Sequence, residues 1–280
     1  MGLKSFMARW WLGILAGLGV AGLLLLVFLL PGLNKAKDNS PGQADAVATS
    51  TASSQVGDEY LALGDSVAFG VGASSPEQLG YPGVFYDQYL KKVRPEIVTY
   101  KNFALPGETI ASFSNRSKSQ SQLDRTLEEL KTTRKAGHKV SLISLTIGGN
   151  DLLAARPKSQ IEKTAVLEQL DNNFQAILAQ LGPRLAESKT ELIVTTYYNP
   201  YGGLVGSDDV TWIKRFNEII QKRATEYNFK VADFFEPVLG HEKNLTWIER
   251  GDIHPNVAGH AALANALWQA TGYPSPATTS

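Results

Sequence analysis

No cysteine occurs in the 280 residues, which removes disulfides, thiol nucleophiles and thiolate metal sites together and leaves a fold indifferent to an oxidising location. Histidine is scarce as well, the four being His138, His241, His254 and His260. No His-Glu-x-x-His run occurs, and His254 and His260 do not make the i, i+4 pair of a helical zinc motif, so neither a metal nor another cofactor is expected. Net charge is also missing. Lysine plus arginine and aspartate plus glutamate each number 27, and without a block of like charge nucleic acid is not an expected partner. The Gly-x-Ser-x-Gly elbow is absent, which disfavours the α/β-hydrolase fold. Gly70-Val71-Gly72 lacks the last glycine of a dinucleotide fingerprint and reads as a mobile loop.

From Trp10 to Leu30 there is no charged residue, while Lys4 and Arg9 precede the run and Lys35 and Lys37 follow it. About 20 apolar residues suffice to span a bilayer, and Trp10 and Trp11 suit an interfacial aromatic belt. Residues 10–31 are therefore expected to form a single transmembrane anchor behind a short flank, 1–9. The alternative is a secreted protein cleaved near Ala44-Asp45-Ala46, although that small-x-small site lies far beyond the apolar run. Residues 32–57 are rich in Ser, Ala, Thr, Gly, Gln and Asp and cannot bury enough surface to offset their ordering entropy, so they read as a flexible linker. A cell-membrane location is expected, with the domain, 58–272, outside the cytoplasm and a flexible tail over 273–280.

Within the domain, short apolar runs alternate with stretches of helical periodicity. Strands are expected at Glu59–Leu63, Ile97–Phe103, Val140–Ile147, Glu191–Thr196 and Phe229–Ala232. Helices are expected near Tyr81–Val93, Gln120–Ala136, Val166–Leu185, Val210–Tyr227 and Asn256–Ala270. Val166, Leu170, Phe174, Ile177 and Leu181 recur at three to four residues, as one buried stripe requires. Strands separated by helices imply an α/β fold with five parallel strands and helices on both faces. Ligands of such open sheets bind outside the carboxyl ends of the strands.

Chemistry gathers at those ends. Gly64-Asp65-Ser66 follows the first apolar run, Gly107 lies after the second, Gly148-Gly149-Asn150-Asp151 after the third, and Asp252-Ile253-His254-Pro255 after the last. A serine hydroxyl is a poor nucleophile until a base takes its proton, and histidine is the side chain poised to do so near neutral pH. Ser66 and His254 are the natural pair. Attack on an ester carbonyl makes an oxyanion, for which the Ser66 N–H, the Gly107 N–H and the Asn150 amide are the candidate donors. Other readings exist for each: Ser66 as a helix cap, Gly107 as a turn glycine, Asn150 as a turn residue and Asp151 as a loop brace. His138, His241 and His260 read as surface or structural. Tyr197, Tyr198, Tyr201, Gly202 and Gly203 form a loop that either shapes an acyl or sugar pocket or merely packs.

Taken together, Gly64-Asp65-Ser66, the Gly107 segment, Gly149-Asn150-Asp151 and Ile253-His254-Pro255-Asn256 resemble the four blocks of the SGNH hydrolases, also called GDSL esterases and lipases. The resemblance implies a flavodoxin-like three-layer α/β/α sandwich and a serine esterase working through an acyl-enzyme. The family's aspartate usually stands three residues before the histidine, where this chain has Gly251. Asp252 lies two before, and in an extended segment residues two apart face the same side. Either Asp252 orients His254, or a backbone carbonyl from Glu249 to Gly251 does. The implied substrate is a lipid ester, an O-acetyl glycan or a small acyl ester. A tethered surface module that binds carbohydrate or lipid with little turnover is the reading from a different class.

Overall fold

A computed structural model describes residues 57–115, 120–155, 159–200 and 208–274. The expected anchor, the linker up to residue 56, and Tyr201, Gly202 and Gly203 lie outside the described residues. Among those described, no helix is long and apolar enough to cross a membrane.

Five strands form one parallel sheet: β1 (Asp58–Gly64), β2 (Ile97–Asn102), β3 (Val140–Thr146), β4 (Glu191–Thr195) and β5 (Lys230–Ala232). Their order is β2-β1-β3-β4-β5. Every residue of β3 is buried, because helices cover both faces and a nearly uninterrupted apolar run is what such a strand requires. The order reverses between β1 and β3, and the crevice at that point is where ligands of doubly wound sheets bind.

The helices are α1 (Ser66–Phe69), α2 (Pro76–Leu79), α3 (Tyr81–Phe85), α4 (Lys91–Val93), α5 (Ile110–Ser114), α6 (Gln122–Lys135), α7 (Gly149–Ala155), α8 (Gln160–Ser188), α9 (Asp208–Glu226), α10 (Glu242–Leu245) and α11 (Val257–Thr271). A π-helical stretch, Tyr86–Leu90, joins α3 to α4. One layer packs α11 against α3, and the other packs α8 against α6 and α9.

Sequence signals explain most of these boundaries. Ser121 and Asp124 exchange hydrogen bonds in a capping box that starts α6, and Asn256 accepts from the Gly259 N–H to start α11; each cap satisfies a donor that the first helical turn leaves open. Phe174, Ile177, Leu178 and Leu181 of α8 are all buried, each removing enough apolar surface from water to contribute about 1.5–3 kcal/mol. Helix α8 begins six residues before the apolar periodicity does. Its first turns are polar, and Ser159, accepting from the Glu162 N–H at 3.1 Å, fixes the start instead.

Candidate active site

Strand β1 ends at Gly64 with φ 129°, and a Cβ at that position would lie 1.9 Å from the Thr146 carbonyl oxygen on β3. Only glycine fits such a backbone approach at positive φ. Asp65 follows as the N-cap of α1, its Oδ1 accepting from the Val67 N–H at 3.0 Å. Ser66 is therefore the first helical residue and not the cap. Its Oγ lies 2.9 Å from His254 Nε2.

The other ring nitrogen of His254, Nδ1, lies 2.6 Å from Asp252 Oδ1. The same oxygen accepts the His254 backbone N–H at 3.0 Å, so one carboxylate fixes both the ring and the main chain that carries it. Of the two ways to orient His254, the geometry realises the carboxylate, at the shortened spacing. Burial pushes the Asp252 carboxyl upward, but the hydrogen bonds from His254 and its charge outweigh burial and hold it below its ordinary value.

The segment after β2 lies against the end of β1. The Leu105 N–H donates to the Gly64 carbonyl at 3.0 Å, and the Glu108 N–H donates to the Leu105 carbonyl at 3.0 Å, closing a tight turn. Gly107 occupies that turn with φ 82°, a conformation that side chains with a Cβ adopt reluctantly. Asn150, near the start of α7, donates through Nδ2 to the Glu108 carbonyl at 2.8 Å. A side-chain amide carries two N–H groups. One of them holds Asn150 beside the Gly107 turn. Asp151 braces the loop, its Oδ2 accepting from the Ile110 N–H at 3.0 Å; burial raises its pKa to about 6 against that hydrogen bond.

The GDSL-like lipase/acylhydrolase family matches residues 62–262. The chain belongs to this family. It is a serine hydrolase of ester bonds, of the SGNH type. The chain is similar to the spore germination lipase LipC of Bacillus licheniformis, 28% identical over 77% of this chain and 96% of that one. It is also similar to the uncharacterized protein YpmR of Bacillus subtilis, 26% identical over 88% of this chain and 92% of that one. Among solved structures, the acetylxylan esterase Axe2 of Geobacillus stearothermophilus aligns at TM-score 0.56 and 20% identity, covering 78% of this chain and 97% of its own. The lipase Lip_vut3 from a goat rumen metagenome aligns at TM-score 0.61 and 23% identity, covering 76% and 97%.

Several further residues of this SGNH hydrolase hold the rim together. Gln122 accepts the Gly64 N–H at 2.9 Å and donates to the Gly64 carbonyl at 2.8 Å, and it also donates to the buried Glu108 carboxylate. A glutamine in the first turn of an amphipathic helix carries no mark of this duty. The Tyr197 hydroxyl donates to Asp65, and the Tyr198 hydroxyl donates to the Ile253 carbonyl at 2.9 Å. Both rings are buried, so these tyrosines pack under the site and do not face solvent. Asp65 itself is buried, and desolvation raises its pKa to about 6 despite the hydrogen bonds it accepts from Tyr197 and Val67.

On the histidine side, the Trp247 indole donates to the Gly72 carbonyl at 2.8 Å and the Trp247 N–H donates to the His254 carbonyl at 3.0 Å. Trp247 thus ties the loop after α1 to the loop of the base. Gly70-Val71-Gly72, read from sequence as a mobile loop, is pinned at further points: the Val71 N–H donates to the Ser66 carbonyl at 2.9 Å, and His260 Nε2 donates to the Val71 carbonyl at 3.0 Å. The Tyr81 N–H donates to His260 Nδ1 at 3.2 Å. One ring nitrogen donating and the other accepting describes a neutral imidazole. Burial drives its pKa down to about 4 against the Val71 hydrogen bond, which makes His260 structural.

Proposed function

We propose that this hydrolase cleaves carboxylic esters through an acyl-enzyme in which Ser66 attacks, His254 takes and returns the proton, and Asp252 holds the imidazole in the required tautomer. The observation that carries the reading is the unbroken chain from Ser66 Oγ to His254 Nε2 at 2.9 Å and from Nδ1 to Asp252 at 2.6 Å. Abstraction by Nε2 leaves an imidazolium whose Nδ1–H donates to the carboxylate, and the lowered pKa of Asp252 keeps that acceptor charged. The oxyanion is received by the Ser66 and Gly107 N–H groups and the second Asn150 N–H. Each such donor is worth about 10²–10³ in rate.

For substrate, we infer a short acyl group. Gly149, Leu152, Leu153, Tyr197, Tyr198, Pro200, Ile213 and Ile253 line a small apolar cavity of about 30 Å³, between the neighbours in sequence of Asn150 and His254. A volume of roughly 10–15 Å³ corresponds to one water-sized sphere, so the space suits an acetyl-sized chain and not a fatty one. The esterase named for acetylxylan among the similar structures favours the same class. The domain, 58–272, is proposed to be held at the cell membrane by residues 10–31 through the linker 32–57, on the strength of the uncharged run alone.

A fluorophosphonate probe tests the chemistry. The wild-type chain should be labelled stoichiometrically and Ser66→Ala should not. An unlabelled wild type would turn the assignment toward a binding module that kept the fold without turnover.

A further inference from the structure

Tyr197 stands two residues past the end of β4, yet its backbone groups are held by α9 and not by the sheet. The Asn217 amide accepts the Tyr197 N–H at 2.8 Å and donates to the Tyr197 carbonyl at 2.8 Å. Asn217 is itself buried, and a buried amide is tolerated when both its ends are matched in this way. Two bonds to one residue fix its place and its direction together.

From that fixed point the side chain bears on two parts of the site. Its hydroxyl donates to Asp65 Oδ2, while Oδ1 of the same carboxylate accepts the Val67 N–H at 3.0 Å, with Ser66 between those two residues. Its ring lies against Gly149, where a Cβ would stand 2.5 Å from Tyr197 Cε1, closer than packed atoms allow. Asn150 is the next residue. Packing alone would be served as well by phenylalanine. Capping alone would be served by the single oxygen of a serine, with no second acceptor to bury. The buried second oxygen of Asp65 and the hydroxyl of Tyr197 explain each other.

We propose that Tyr197 is a positioning residue for the reaction: by holding Asp65 with its hydroxyl and Gly149 with its ring, it sets the separation between Ser66 and the Asn150 amide at which the oxyanion is bound. The inference rests on the roles proposed above for Ser66 and Asn150. Such positioning counts only once the tetrahedral oxygen forms, so it acts on kcat and not on the binding of substrate.

The test measures hydrolysis of an aryl acetate by the full chain, with rates divided by the sites that the fluorophosphonate probe counts, so that unfolded chains do not enter. Tyr197→Phe keeps the ring and removes the hydroxyl, and should lower kcat by about tenfold or more with KM unchanged. Asn150→Ala should lower kcat by about 10²–10³. Adding Tyr197→Phe to Asn150→Ala should then lower kcat by less than about twofold, because an amide that is gone cannot be misplaced. Equal losses in the two backgrounds, no loss in the first, or a change confined to KM overturns the proposal. Should Tyr197→Phe not fold, Asp65→Ser cuts the same bond from the other side while keeping a cap oxygen, and the same two backgrounds are compared. A wild type that neither takes the label nor hydrolyses the ester defeats the acyl-enzyme reading, and this inference with it; a wild type that turns over no faster than Tyr197→Phe defeats this inference alone.

Discussion

His254 and His260 stand on one short stretch of chain and are put to opposite uses. His254 is half-buried and faces a hydroxyl on one nitrogen and a carboxylate on the other, an arrangement in which gaining a proton is answered by a nearby charge. His260 is fully buried and faces a backbone carbonyl and a backbone N–H. A proton added at Nδ1 would point at the Tyr81 N–H, and nothing there would stabilise it. Residue type alone therefore says little about a histidine's task. The partner of the second ring nitrogen decides it.

The contrast is broken most severely by His254→Ala. Its kcat on an aryl acetate should fall by roughly 10⁶, as when the base of a serine hydrolase is removed, while the thermal unfolding midpoint hardly moves; a loss under a hundredfold would mean that another group serves as base. Asp252→Asn comes next. It keeps the shape but lets the amide offer an N–H to Nδ1, reversing the tautomer, and kcat should drop by about 10⁴. A fall of only a few-fold would take Asp252 out of the mechanism.

The smallest effect belongs to His260→Gln and is read in stability. The native pKa near 4 lies below the ordinary 6.5, so between those values the unfolded chain binds the extra proton. Stability from this residue is whole above pH 6.5 and is lost as pH falls toward 4, by about 3 kcal/mol in total. Asp65 and Asp151, both raised to about 6, act with the opposite sign, because their native forms hold protons that the unfolded chain has released. The informative quantity is the difference between variant and wild type in urea unfolding from pH 7 to 4. His260→Gln should flatten the acid limb by up to one proton and leave kcat within a few-fold of wild type. An unchanged slope would show that His260 does not resist protonation.

How far the sequence foretold all this depends on the range of the interaction. All five strands were legible because central parallel strands such as Val140–Thr146 are continuous apolar runs bounded by turn residues. The long helices were legible from one buried stripe each. The short helices α2, α5, α7 and α10 were not, since segments of four to seven residues leave no periodicity to read. Ser66, His254, Gly107 and Asn150 could be named because the four motifs recur in order at successive strand ends, although serine, glycine and asparagine there each have an ordinary use as cap or turn residue. Asp252 was less readable: its spacing departs from the family, and only coordinates show its oxygen serving ring and main chain together. Gln122 and Trp247 were invisible in the chain, and Tyr197 was legible only as a loop residue that shapes a pocket or packs, because the partners of the three, Gly64, Gly72 and Asp65, come near only through the assembled sheet.

The hydroxyl of Ser66 and the ring of His254 are separated by 188 positions in the chain, one leaving the first strand and the other preceding the final helix. With the roles proposed for the two, a polypeptide emerging from the ribosome carries its attacking oxygen long before its proton acceptor exists, and is expected to stay inert toward esters in the interval. Turnover begins only when the last segment docks, so regain of hydrolysis after dilution from denaturant would time the closing event of refolding rather than its onset.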